Sequence, residues 1–215
     1  MSDRVNVLVK KIVSGSEITE EDIVKANMSE TDIIDVLNGM KDDIKIPNAQ
    51  TGARSVYLGG GWFDTAQIKL LIEQYRALLL NDTIGHIHVP LLHQYNGTPF
   101  NSESGEDMGF EWATMTYKAD IKAIDNSDIA VVSFPAGHED AGTAVEVGYA
   151  IGTNKPVVAL YSGDIDKNPI NLMVSFGVDA YADSEGQLRN FDFIDIAPRK
   201  YRGKIIWWKQ ELKNS

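Results

Sequence analysis

The residues most suited to chemistry are the carboxylates of the stretch 139–150, which reads EDAGTAVEVGYA. Asp140 stands just before an apolar-periodic stretch, where helix N-caps are found, and Glu146 follows inside the helix that this pattern predicts. Because a helix N-terminus favours negative charge, we expect Glu146 to be ionised and able to attack an electrophile. Asp140 could instead only cap the helix, and Glu146 could lie on a solvated face, but the apolar neighbours of Glu146 argue against a purely solvated side chain.

A third carboxylate, Asp120, belongs to another predicted helix. It shares a helix face with Trp112 and Thr116, which lie eight and four residues earlier. Such a face could line a pocket, or Asp120 could be an ordinary exposed residue. Carboxylates gathered at strand ends beside aromatic rings suit chemistry at an anomeric carbon, where one carboxylate attacks C1 and another acid or the medium protonates the departing group.

A glycine run at 59–61 follows a short predicted strand and leads directly into Trp62 and Phe63. The run matches only the first part of a dinucleotide fingerprint, and the chain has no Gly-Lys-Ser/Thr phosphate loop. One interpretation is a tight strand-to-helix turn. The other is a loop in which Gly59 lets a flat ligand approach the backbone and stack near the two rings. We favour the ligand-binding loop, because aromatic side chains so close to a glycine run are hard to bury.

Three histidines, His86, His88 and His93, are the residues most suggestive of a metal site. His86 and His88 would share one face of a strand, but the chain has no cysteine and no confirming ligand spacing. We therefore expect neither a metal nor another cofactor. The lack of cysteine also excludes disulfides and a thiol nucleophile.

From residue 55 onward the pattern alternates between strands and helices. Strands are predicted at 55–58, 86–90, 129–134 and 156–161, and helices from residue 64, over 110–124 and over 142–151. The run 129–134 is apolar throughout, as in a strand buried on both faces. This alternation predicts an α/β fold, a flavodoxin- or Rossmann-like parallel sheet with helices on both faces, which binds its ligands at the carboxyl ends of the strands.

The first 50 residues are predicted to form a small helical extension, ahead of a catalytic domain at 51–198 and a basic tail at 199–215. Thr19 with Asp22, and Ser29 with Asp32, have the spacing of capping boxes. Residues 1–54 carry 7 basic and 10 acidic side chains and lack the basic recognition face of DNA-reading helices. We therefore expect the extension to serve packing or assembly.

The whole chain has 215 residues, a net charge of −11 and a hydrophobic content of 43%. Residues 55–195 carry 7 basic and 20 acidic side chains, whereas residues 196–215 carry 6 basic and 1 acidic. This acidity disfavours nucleic acid and anionic membranes as partners and suits a small, mostly neutral substrate. No apolar run is long enough to span a membrane and the start has no signal-peptide core, so we expect a cytoplasmic protein.

Several motifs in chain order make the segment 56–194 similar to the nucleoside 2-deoxyribosyltransferases. They are VYLGGGWF at 56–63, VPLLHQY at 89–95, WATMTYKAD at 112–120, EDAGTAVEVGYA at 139–150, NPINLM at 168–173 and FDF at 191–193. The resemblance implies a flavodoxin-like fold. It also implies that the base of a 2′-deoxynucleoside is exchanged for a free purine or pyrimidine base by double displacement, through a covalent deoxyribosyl-enzyme and with net retention.

The resemblance assigns catalytic roles to four positions. Glu146 matches the family nucleophile, and Tyr57 matches the tyrosine that orients it. Asp120 and Asp140 match two supporting aspartates that serve proton transfer to the base and positioning of the sugar, and the motifs leave open which does which.

The resemblance also implies binding residues and an assembly. Gln94 matches a glutamine that faces the base. Asn171 and Met173 match residues that a neighbouring subunit supplies at the 5′ end of the sugar. A homo-oligomer with shared active sites, hexameric or built from dimers, is therefore implied.

The chain departs from the family pattern, and two other functions stay open. Residues 1–54 and the tail from Arg199 are extra, and Leu92 and His93 stand where the family has Asp-Asn. One alternative is an N-glycohydrolase of 2′-deoxynucleoside 5′-monophosphates, which shares part of the 139–150 motif but needs a phosphate pocket. The other is a non-catalytic nucleoside-binding module, which would have no need for three carboxylates.

Overall fold

Strands and helices alternate along the second part of the chain and build one parallel sheet. The computed structural model describes residues 2–97 and 108–198. In those residues the strands are β1 Arg54–Gly59, β2 Ile84–His88, β3 Ile129–Pro135, β4 Val157–Ser162 and β5 Ala180–Ala182. All neighbouring pairs are parallel, in the order β2-β1-β3-β4-β5. This is the flavodoxin-like strand order, in which ligands bind at the carboxyl ends of β1 and β3, where the connections that follow the two strands lead to opposite sides of the sheet.

Helices cover both faces of the sheet, as the sequence predicted. They are α1 Asp3–Val13, α2 Glu20–Ala26, α3 Glu30–Asp43, α4 Thr65–Leu79, α5 Gly109–Asn126, α6 Ala141–Gly152, α7 Leu172–Ser175 and α8 Glu185–Arg189. Because side chains alternate along a strand, Val131 packs toward α4 and α8 while Val132 packs toward α5 and α6. Two hydrophobic layers therefore hold the helices to the sheet.

The three helices of the extension form an outer layer on α4. The predicted capping boxes at Thr19 and Ser29 open α2 and α3. Ile33 and Leu37 of α3 are fully buried and belong to the same hydrophobic cluster as the side chains of β1 and α4. The extension and the sheet thus share one core.

A buried arginine reinforces this junction. The Nη1 atom of Arg76 on α4 donates to the carbonyl oxygens of Ile12, at 3.3 Å, and Ser16, at 3.0 Å. The same guanidinium pairs with the carboxylate of Glu185 on α8. The Arg76 side chain therefore connects the C-terminal end of α1 with α4 and α8.

Some element boundaries differ from those predicted. The strand predicted at 86–90 lies at Ile84–His88, because Pro90 has no N–H for a sheet ladder and begins a 3₁₀ turn at Pro90–Leu92. The sequence did not predict β5, α7 or α8. The basic tail at 199–215 lies outside the described residues, as do residues 98–107. Over the residues that are described, no helix is both long and apolar enough to cross a bilayer.

Candidate active site

Glu146 and Tyr57 form the centre of the candidate site. Glu146 lies in the second turn of α6, which follows β3, and Tyr57 lies on β1 beside β3. The Tyr57 hydroxyl donates a hydrogen bond of 2.7 Å to Glu146 Oε1. The Tyr57 side chain is fully buried, and its burial together with the nearby carboxylates raises the pKa of the phenol, so that it stays a donor.

The second oxygen of Glu146 is buried without a hydrogen-bond partner. It lies against the backbone at the end of β1, where a Cβ on Gly59 would be only 2.6 Å from Glu146 Oε2. Burial, together with the charges of Asp120 and Asp140, raises the pKa of Glu146 to about 8 despite the opposing hydrogen bond from Tyr57. Burial therefore favours the protonated form of Glu146 in the free protein and opposes the helix dipole, which was expected to favour the ionised form.

Asp120 approaches the same cluster from α5. It is half-buried on one helix face with Trp112 and Thr116, as predicted from their spacing, whereas residues 117–119 are exposed. Burial raises the pKa of Asp120 to about 6, and its charge acts on both Glu146 and Tyr57. This aspartate is therefore not the ordinary exposed residue of the alternative interpretation.

Asp140 serves as the N-cap of α6. Its Oδ2 accepts hydrogen bonds from the backbone N of Thr143, at 2.6 Å, and from Thr143 Oγ1, at 2.9 Å. Its charge also raises the pKa of Glu146. Asp140 therefore both caps α6 and belongs to the carboxylate cluster around Glu146.

The glycine loop after β1 is held by Gln67, a residue that the sequence did not single out. Gln67 Oε1 accepts from the backbone N of Phe63 at 2.9 Å, and its Nε2 donates to the carbonyl of His138 at 3.0 Å. Gln67 therefore joins the loop after β1 to the loop after β3. The Trp62 side chain is half-buried against the core, whereas the neighbouring Phe63 is exposed. The centroids of the two rings are 5.2 Å apart.

Two histidines, His88 and His93, stack in a row with the ring of Tyr57. His88, the register partner of Tyr57 on β2, stacks with it at 5.9 Å between ring centroids and with His93 at 4.3 Å. Burial and the charges of His93 and His86 lower the pKa of His88 to about 4, which keeps it neutral near pH 7. Within residues 2–97 and 108–198, no three His, Cys, Asp or Glu side chains are grouped so that they could hold a metal ion.

The remaining predicted binding residues lie away from this cluster. Gln94 is buried, and its Nε2 donates to Glu30 Oε1 of α3 at 2.6 Å.

Asn171 caps α7 by accepting from the backbone N of Met173 at 2.9 Å, and the Met173 side chain is 77% exposed. Asn171 and Met173 line a groove of about 1000 Å³ between α6 and residues 167–177. Asp140 lies at the same groove. The fold thus brings Glu146, Tyr57, Gly59 and the two aspartates together, and places Asn171 and Met173 on the adjoining groove.

Comparison with known proteins places the chain in a family. The family model of nucleoside 2-deoxyribosyltransferase matches residues 56–187. The nucleoside deoxyribosyltransferase of Lactobacillus leichmannii is 34% identical over 142 residues, which are 65% of this chain and 90% of that protein. The corresponding protein of Lactobacillus johnsonii is 33% identical over 135 residues, 62% of this chain and 90% of that protein. A solved structure, the 2-deoxyribosyltransferase of Bacillus psychrosaccharolyticus, is 27% identical, covers 69% of this chain and 99% of its own, and has a TM-score of 0.56. The chain therefore belongs to the nucleoside 2-deoxyribosyltransferase family, a group of pentosyltransferases, as its motifs predicted.

Proposed function

We propose that this protein exchanges the base of a 2′-deoxynucleoside by double displacement, with Glu146 as the nucleophile. The proposal rests on the contacts and the burial of the two Glu146 carboxylate oxygens. One oxygen is held by Tyr57, and the other is buried and unpartnered beside Gly59. A carboxylate fixed in this way at the carboxyl ends of β1 and β3 suits attack on the anomeric carbon of a bound sugar.

The reaction would proceed in two substitutions at C1′. In the first, a Glu146 oxygen forms a bond to C1′ while the C1′–N bond breaks, and the bonding electron pair leaves with the base. In the second, a ring nitrogen of the incoming base bonds to C1′, and the ester bond breaks to return the carboxylate. Two inversions give net retention.

Proton transfer falls to the carboxylate cluster. The departing base takes a proton and the incoming base gives one up, so a group that holds a proton near neutral pH is required. Burial raises the pKa values of both Glu146 and Asp120, and the charge of Asp120 raises that of Glu146 further, so a carboxyl group of this cluster can hold a proton closer to neutral pH than an exposed one can. We infer that Asp120 or Asp140 carries the proton between solvent and the departing or incoming base, while Glu146 attacks in its ionised form.

The groove beside α6 supports a shared active site. Leu172, Met173 and Phe176 expose 49%, 77% and 55% of their surface along α7 and its end. Exposed apolar side chains next to a groove are typical of subunit interfaces. We infer that this chain forms a homo-oligomer, in which Asn171 and Met173 contact the sugar bound by a neighbouring subunit, and that it works in the cytoplasm in the salvage of deoxynucleosides.

A chromatographic base-exchange assay tests the proposal. Deoxyinosine or thymidine serves as donor, and adenine or cytosine as acceptor, with and without the acceptor. We expect a new deoxynucleoside that appears only with the acceptor, and no exchange by the near-isosteric Glu146→Gln variant. Release of free base from 5′-monophosphates alone would instead indicate the hydrolase, and no turnover of either kind would indicate a binding module.

A further inference from the structure

A buried glutamine on α4 bridges the two central strands. Gln74 is fully buried, and its Nε2 donates to the carbonyl oxygen of Val131 on β3 at 2.9 Å and to that of Gly59, the last residue of β1, at 3.3 Å. Because a carbonyl oxygen can only accept hydrogen bonds, the NH₂ end of the carboxamide must face the strands. Gln74 therefore holds β1 to β3 close to the carboxyl ends at which the candidate site lies.

Gly59 lies between this glutamine and Glu146. A Cβ on Gly59 would be 2.6 Å from Glu146 Oε2 and 3.0 Å from Val132 Cγ1, so this side of the glycine faces α6. Gln74 approaches from the opposite face of the sheet, which α4 covers. A shift of the end of β1 therefore changes how closely the backbone covers the unpartnered oxygen of Glu146.

A polar side chain at position 74 destabilises the fold. Leu71 and Leu78, one turn before and one turn after Gln74 on α4, are buried and apolar. The Oε1 atom of Gln74 is buried without a hydrogen-bond partner, which costs free energy that an apolar side chain of equal length would not cost. The advantage of glutamine at this position must therefore lie in its donor, which holds the strand ends.

The turn after β1 packs directly on the carboxamide. A Cβ on Gly60 would be 2.6 Å from Ser133 Oγ and 3.3 Å from Gln74 Oε1. Because the space around the amide is filled in this way, its two hydrogen bonds have a fixed direction. A fixed donor can in turn fix the carbonyl groups that it contacts.

We propose that Gln74 is a positioning residue for the nucleophile, which holds the backbone of Gly59 against the Glu146 carboxylate. The inference rests on the proposed function, in which Glu146 attacks the sugar. Without the donor, the end of β1 can move away and water can reach Oε2. The carboxylate is then less well placed for the attack, and the pKa of Glu146 falls because its burial is relieved.

The other groups that set the protonation of Glu146 are left in place by a change at position 74. They are the Tyr57 hydroxyl from β1, Asp120 from α5 and Asp140 at the start of α6. Gln74 carries no charge, so it acts on Glu146 only through the position of the strand end. A change in the pH dependence of the reaction is therefore a readout of this positioning.

Kinetics of Gln74→Met test the proposal, because methionine keeps the length of the side chain and removes the donor. We expect kcat above the acid limb to fall roughly 5- to 10-fold, the size of a lost hydrogen bond, and the acid limb of kcat/KM to move to lower pH. Asn81→Leu is the matched control. Asn81 is also a buried carboxamide, and its Nδ2 donates to the carbonyl oxygens of Arg189, at 2.9 Å, and Phe191, at 2.8 Å, away from the site. This control should lower the unfolding temperature and leave kcat and the pH profile as in wild type.

Thermal unfolding tests the same contact without turnover. Since the folded state keeps the Glu146 proton to about pH 8, the wild-type protein loses stability as pH rises from about 4.5 to about 8. If Gln74→Met relieves the burial of Oε2, the variant loses less stability over this range, so its deficit in unfolding temperature should shrink. In the Glu146→Gln background the deficit should not change with pH.

Three results would overturn the proposal: wild-type kcat and acid limb in Gln74→Met, an equal loss of kcat in Asn81→Leu, or a deficit with the same pH dependence in both backgrounds. If Gln74→Met does not fold, Gln74→Asn takes its place with the same expectations, because its carboxamide is one methylene shorter and falls short of Gly59. A wild-type protein without base exchange would overturn the proposed function, and the unfolding measurements would still decide whether Gln74 acts on Glu146.

Discussion

Replacing Tyr57 with phenylalanine removes one hydroxyl group and leaves the buried ring in place. The lost contact is the 2.7 Å hydrogen bond to Glu146 Oε1. A hydrogen bond to a charged group contributes about 1.5–3 kcal/mol, which corresponds to a rate loss of roughly 10- to 100-fold if it is needed for the attack. The same bond lowers the pKa of Glu146, so its removal must raise that pKa further above about 8 and reduce the ionised fraction at neutral pH.

The pH dependence of kcat/KM for base exchange distinguishes this effect from a general loss of activity. We expect the acid limb of the Tyr57→Phe profile to move to higher pH, and the defect to shrink above the raised pKa of Glu146. Tyr149→Phe is a matched control, because that hydroxyl donates to the exposed Asp125 at 2.8 Å and lies apart from the cluster. Wild-type activity of Tyr57→Phe, or a defect of equal size at every pH, would refute the reasoning.

Four further changes test the geometry and the electrostatics of the site. Gly59→Ala should abolish exchange in a folded protein, because the new Cβ would lie 2.6 Å from Glu146 Oε2, whereas Gly186→Ala, which meets open space, should be fully active in the same assay. Asp120→Asn removes a charge that raises the pKa of Glu146, so the acid limb of kcat/KM should move to lower pH. Glu146→Gln should raise the thermal unfolding temperature relative to wild type by an amount that grows as pH rises from about 4.5 to about 8, because over this range the unfolded state loses the proton that the folded state keeps. An equal difference at pH 4 and pH 9 would contradict this. Deletion of residues 1–50 should abolish cooperative unfolding seen by circular dichroism, since it strips α1–α3 from the shared core, and a stable truncated protein would show that the core does not need them.

Local sequence signals were enough to locate most elements around the site. Asp140 caps α6 as its position predicted, accepting from the backbone N of Thr143 at 2.6 Å, and α4 begins directly after Asp64, which accepts from the backbone N of Gln67 at 2.9 Å. The apolar run at 129–134 became the buried strand β3. These features are set within a few residues of chain, so their patterns are visible without the fold.

The features that the sequence did not reveal depend on contacts distant in the chain. β5 has three residues, too few for a periodic pattern. The bond between Glu30 and Gln94 joins two helix and loop positions that no local spacing connects. The pKa of Glu146 depends on desolvation by the surrounding fold and on charges carried by α5, which the helix-dipole argument from its own segment could not include.

Detection of a deoxyribosyl ester on Glu146 tests the central claim most directly. The protein would be mixed with a 2′-deoxynucleoside in the absence of an acceptor base, quenched in acid, and examined by intact-protein and peptide mass spectrometry. We predict an added mass of one deoxyribosyl group on the peptide that contains Glu146, its loss as a new deoxynucleoside when adenine is added before the quench, and no adduct on Glu146→Gln. Base exchange by a protein whose adduct lies on another residue, or by the Glu146→Gln variant at the wild-type rate, would contradict the account.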